Sequence, residues 1–167
     1  MSASRNPAHG DTTMTERLSN PYKIAPDAYQ AMIKVETSIA ASGLEHSLLE
    51  LVKLRASQIN GCAFCIHMHT TDARKAGETE MRLYMLSAWR ESSLYSDRER
   101  AALAWTDALT RIEQTQAPDA DYDLVKAQFS DAEQVNLTLA IGLINAWNRL
   151  AIGLRLAHPA DAVRVAA

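Results

Sequence analysis

The chain has 167 residues, a length that suits one domain with a real core. Apolar residues make up 47% of it, and 17 basic against 20 acidic side chains leave a net charge of −3. With no basic patch and no apolar run near the ~20 residues of a membrane helix, nucleic acid and membrane are not expected as partners.

The first residues, "MSASRNPAHGDTTMTERLSNPYKIAP", are polar and rich in Pro, Gly, Ser and Thr. They lack the apolar core of a signal peptide. Residues 1–20 are expected to be a flexible tail, with Met14 a candidate start, and the compartment to be cytoplasmic. Helix signals follow. Pro26 suits the first position of a helix that Gly43 stops. "HSLLELVKLRASQI" is a second helix, ending at Asn60-Gly61. A third opens at Cys62 and runs to Gly77, and "ETEMRLYMLSAWR" is a fourth. Ser96 and Glu99 form a capping box that starts a fifth. After Pro118 comes a short helix. Ser130 and Glu133 form another capping box, opening the longest helix, which is expected to reach His158-Pro159. Gly142 and Gly153 inside it suggest close packing or a bend. Strand alternation is missing throughout. The expected fold is all-α, about six to seven helices over residues 21–160, with a short tail at 161–167.

"NGCAFCIHMH", residues 60–69, holds both cysteines of the chain. On a helix starting at Cys62, the residues Cys62, Cys65 and His69 are spaced i, i+3, i+7 and share a face, while His67 points away. The helix N-terminus adds unpaired N–H groups that stabilise a thiolate. Upstream, Glu50 stands in "LLELVKL", where five of its six neighbours are Leu or Val. A carboxylate in such a helix is costly unless paired. Two readings stand: Glu50 closes a capping box with Ser47, or it faces His69 and the thiols as a proton relay. The dithiol itself could be redox-active, hold a metal with Glu50 and His69, or only pack. Ser57 and Asn60 suit either hydrogen bonding near the site or an ordinary turn. Trp105, Trp147 and Tyr84 read as core or oligomer packing, and the acids around Asp119 as a solvated helix start. "SLLELVKL" at 47–54 and "SDAEQVNL" at 130–137 share S-x-x-E-x-V-x-L, two helix starts or an old duplication.

The segment "ELVKLRASQINGCAFCIHMHTTDARKAGE", from Glu50 to Glu78, resembles the core motif of the alkylhydroperoxidase AhpD-like family, within the carboxymuconolactone decarboxylase superfamily. The motif is Glu, eleven residues, Cys-x-x-Cys, three residues, His, matched without a gap by Glu50, Cys62, Cys65 and His69. "LINAWNRLAI" at 143–152 resembles the family's C-terminal helix. The resemblance implies an all-helical, homo-oligomeric thiol peroxidase. In that reading Cys65 attacks a hydroperoxide, Cys62 closes the disulfide, and Glu50 and His69 relay protons. It implies no cofactor and no metal, but an external dithiol reductant of lipoyl or thioredoxin type. One departure stands out: founding members carry His before the second cysteine, where this chain has Phe64. A redox-sensing or partner-binding module without turnover, and a decarboxylase-type enzyme, are the remaining alternatives.

Overall fold

The computed structural model describes residues 15–158. Residues 1–14, with Met14, and the expected tail at 161–167 lie outside the described residues. All regular structure among the described residues is helical. Nine helices follow in order: α1 (Pro21–Ile24), α2 (Pro26–Ala40), α3 (His46–Asn60), α4 (Ala63–Lys75), α5 (Glu80–Met85), α6 (Asp97–Thr110), α7 (Ile112–Thr115), α8 (Asp119–Gln128) and α9 (Asp131–Leu154). The number exceeds the expected six to seven because single turns form at α1 and α7.

α3 is the axis of the fold. It packs against α4, α6 and α9, and every residue from Leu48 to Ser57 is buried. Leu48, Leu49 and Val52 join α6 and α9 in the larger apolar cluster, and Leu51 and Leu54 join Leu86, Trp89 and Leu103 in a second. A helix enclosed on all sides must satisfy its polar side chains internally. Glu50, Lys53, Arg55 and Ser57 each find partners on other helices or on the backbone.

Both capping boxes expected at Ser96–Glu99 and Ser130–Glu133 form. The one considered at Ser47–Glu50 does not: α3 starts two residues earlier, with Glu45 at the cap and no side-chain capping bond. The fourth helix also ends early, at Met85, and continues as a 3₁₀ turn over Leu86–Ala88. The last helix stops at Leu154, short of His158, with Arg155 left-handed at φ 54°. The N-terminal segment caps it there. Arg17 donates its backbone N–H to the Leu154 carbonyl (3.0 Å) and its guanidinium to the Gly153 carbonyl (3.0 Å). Gly142 and Gly153 meet nothing within 4 Å of a modest side chain, so close packing does not explain them. By length and hydropathy α9 would suit a membrane span, unlike the sequence expectation. Its Leu137, Ile141 and Ile144 face is a wall of the core.

Candidate active site

Gly61 adopts φ 69°, the left-handed cap that lets α3 end and the chain turn straight into α4. The turn places Cys62 at the N-cap of α4, where its sulfur accepts the backbone N–H of Cys65 at 3.4 Å. The two sulfurs lie 2.7 Å apart as free thiols, both almost fully buried. One turn further on, His69 is also buried, and its Nδ1 is 2.9 Å from Glu50 Oε2. The helix pair α3–α4 thus unites all four residues that the motif singled out. His67 lies on the exposed side, against the ring of His158.

The electrostatics of the pair are asymmetric. Cys62 accepts from the Cys65 thiol, against the cost of burial, and further donors from the Cys65 backbone and the Asn148 amide bring it down to about 7. Cys65 is pushed strongly up, first by its hydrogen bond to Cys62, then by burial and the Cys62 charge. Cys62 is therefore the more acidic of the two thiols, and Cys65 holds its proton more tightly. Burial raises the Glu50 carboxyl, but the His69 hydrogen bond and the charges of His69 and Lys53 override it and hold Glu50 below its usual range. Lys53 lies 3.6 Å from Glu50 and pairs also with Glu36.

Asn148 on α9 was not singled out from the sequence, where it only interrupted an apolar run. It is fully buried. Its Oδ1 accepts from Asn60 Nδ2 at 2.8 Å, and its Nδ2 donates to Ser57 Oγ at 3.1 Å. Asn60 also donates to Asn145 Oδ1 at 2.9 Å. This network fixes which end of the Asn148 amide is the donor, so that its N–H can serve the sulfurs. Ser57 and Asn60 are thereby hydrogen-bonding members of the site's surroundings. The available signal was the pair of polar residues, Asn145 and Asn148, three apart on the buried stripe of α9.

A cavity of about 480 Å³ opens over Cys65, His69 and Glu50. Its walls are mostly apolar, including Phe64, Met68, Trp147 and Leu150. Two buried polar atoms of its lining lack a hydrogen-bond partner among the described residues: His69 Nε2 and Tyr29 Oη. The Tyr29 ring packs against Trp147, 5.4 Å between centroids. Trp147 is thus a cavity wall, Trp105 is buried and bonded to Thr138, and Tyr84 is exposed. With His69 Nδ1 occupied by Glu50, no three His, Cys, Asp or Glu side chains among the described residues group as a metal shell.

A carboxylate-oriented imidazole, with a free nitrogen beside a buried dithiol, can move a proton to or from a reacting sulfur. Glu50→Gln keeps an oxygen for His69 but removes the carboxylate charge from the relay. We expect thiol loss on exposure to hydroperoxide to slow by about 10²-fold, with helix content unchanged by circular dichroism.

The fold and site define an all-helical protein with a paired dithiol and a Glu–His dyad. The carboxymuconolactone decarboxylase family model matches residues 26–108, which include all four motif residues. The chain is 44% identical over 141 residues to the uncharacterized protein YdfG of Bacillus subtilis, covering 84% of this chain and 95% of that one. It is also similar to a crystal structure from Agrobacterium tumefaciens of a protein of unknown function, suggested to be the antioxidant defence protein AhpD. That match has a TM-score of 0.83 and 48% identity over 87% of this chain and 99% of that one. The debrominase Bmp8 shares the fold, with a TM-score of 0.73 at 19% identity, covering 83% of this chain and 74% of that one. The chain belongs to the carboxymuconolactone decarboxylase family, on its AhpD-like side.

Proposed function

We propose that the protein is a thiol-dependent hydroperoxide reductase. The observation that carries this reading is a buried dithiol whose Cys65 shares one cavity with a buried Glu50–His69 pair. A hydroperoxide enters over Cys65. The Cys65 proton passes to His69 or to the Cys62 thiolate, and the Cys65 thiolate attacks the terminal oxygen. The O–O bond breaks, an alkoxide leaves and takes a proton from the relay, and Cys65 becomes a sulfenic acid. Cys62 then displaces the hydroxyl as water and forms the disulfide. The reaction consumes one hydroperoxide and two thiols and yields an alcohol, water and a disulfide. An external dithiol of lipoyl or thioredoxin type restores the thiols, with no bound cofactor. We place this chemistry in a cytoplasmic homo-oligomer. With Phe64 in place of the family's His, proton handling rests on the Glu50–His69 pair.

The test is the intact mass of the reduced protein before and after one equivalent of cumene hydroperoxide, with thiol counting. The expected result is loss of both thiols and of ~2 Da, two hydrogens, followed by turnover when a dithiol is added. Two free thiols after treatment would end this reading. Oxidation without turnover by any dithiol would replace the enzyme by a redox sensor.

A further inference from the structure

The dithiol sits in a partition between two cavities. Cys65 and His69 border the first, of about 480 Å³. Cys62 borders the second, of about 410 Å³, together with Ala63, Ile152, Arg155 and His158. Phe64, Ala151 and Leu156 line both, and these three pack on the two cysteines as one small cluster. They are the wall, and each sulfur meets a different side of it.

The two sides differ in charge. Glu36, Glu50 and Asp72 line the first cavity, against Lys53 and His69. Among the described residues the second has no carboxylate in its lining and includes Arg155. Among the described residues Arg155 forms no ion pair. It also occupies a left-handed position, φ 54° and ψ 56°, where glycine is usual. Close by, Glu16 accepts the Ala157 N–H at 3.3 Å and Arg17 holds the Gly153 carbonyl, a pair that adds no net charge. A neutral hydroperoxide suits the first cavity. A thiolate entering there would meet three carboxylates, whereas the second cavity attracts it.

We propose that the second cavity is the reductant site, where an anionic thiol attacks Cys62 of the oxidised pair. The proposal rests on the redox reading of the dithiol. The incoming thiolate sulfur bonds to Cys62 Sγ. The Cys62–Cys65 bond breaks, and its electron pair leaves on Cys65, which takes a proton from solvent or through His69. A second thiol, or the other sulfur of a dithiol, then displaces the Cys62 thiolate and leaves as the oxidised reductant. Two reductant thiols become one disulfide, and the protein disulfide becomes two thiols. Leaving-group acidity alone favours the opposite polarity, since Cys62 is the more acidic thiol. Access and charge favour attack at Cys62. Oxidant and reductant would then reach the dithiol from opposite faces and not compete for one space.

The test begins with the disulfide made by diamide, so that it does not depend on any peroxidase activity. Rates of reduction are measured with mercaptoacetate, 2-mercaptoethanol and cysteamine, which are anionic, neutral and cationic thiols of similar size. Corrected for thiolate fraction, the expected order is anionic, neutral, cationic, spanning roughly threefold to tenfold. Arg155→Gln should flatten it. Ile152→Trp, which fills the second cavity, should lower the rate of reduction relative to the rate of oxidation by cumene hydroperoxide, whereas Met68→Trp in the first should do the reverse. Acid-quenched mixed disulfide should map to Cys62. Mixed disulfide on Cys65, or a rate order indifferent to thiol charge in the parent protein, would overturn the assignment. A dithiol inert to cumene hydroperoxide would end the proposed function and leave this test standing.

Discussion

Cys65→Ser is expected to abolish peroxide consumption, with residual rates at least about 10³-fold below the parent protein. The reason is positional. Cys65 borders the cavity that holds His69 and Glu50, and Cys62 does not. Serine keeps a hydroxyl that can donate to the Cys62 sulfur, so the remaining thiol should still ionise near neutral pH. Its alkylation by iodoacetamide should rise through about pH 7, because the thiolate is the nucleophile. The variant would therefore hold a reactive thiol and still fail to turn over. Cys62→Ser should differ: one equivalent of hydroperoxide should leave a sulfenic acid on Cys65, detectable by dimedone. Normal turnover by Cys65→Ser would reverse the two roles. The low-lying acidity of Cys62 makes this contrast informative, since acidity alone would nominate Cys62 as the attacking sulfur. In the structure, acidity and access fall on different cysteines. Cys62 is the more acidic thiol, and Cys65 is the one that faces the cavity.

The site was legible from sequence as far as local geometry reaches. Cys62, Cys65 and His69 share a face by helical spacing alone, and Glu50 is conspicuous as a carboxylate among leucines. The capping boxes at Ser96 and Ser130 were equally legible, since the signal and the structure span the same four residues. The same string at Ser47 left two readings open, because nothing in it reports that the cap of α3 lies two residues earlier or that His69 claims the carboxylate. What stayed hidden depends on distant pairings. Asn148 meets Ser57 across 91 positions, and Arg55 meets Asp107 across 52. The end of α9 is set by Arg17, 136 positions away from Gly153. No periodicity in α9 encodes that stop, which is why the helix read longer than it is. Arg155 takes its left-handed turn at that same helix end and lines the cavity that Cys62 borders.

Asp107→Ala should be the most damaging substitution outside the site, lowering the free energy of unfolding by about 3–5 kcal/mol. Asp107 is buried on α6 and takes both donors of Arg55, at 2.7 and 3.2 Å. Arg90 bonds to its second oxygen, and Arg111 lies 3.8 Å away. Removing the carboxylate leaves Arg55 charged and largely buried on α3, while Arg90 is half exposed and can turn outward. Urea denaturation at neutral pH measures the loss, and a change under about 1 kcal/mol would show that Arg55 finds other partners. Burial raises the Asp107 carboxyl, but the two arginines override it and hold it below its ordinary value. A carboxylate with a depressed folded value contributes stability above its unfolded value and loses it as pH falls through the folded one. The gap between parent and variant should therefore persist down to about pH 4 and close only below it. Arg55→Met combined with Asp107→Leu should recover much of the loss, because a buried ion pair replaced by packed apolar groups is often neutral. That rescue would locate the penalty in the orphaned guanidinium. It would also keep α3 in place, and with it Glu50, three residues and one turn before Lys53, as the fixed wall on which the dithiol helix rests.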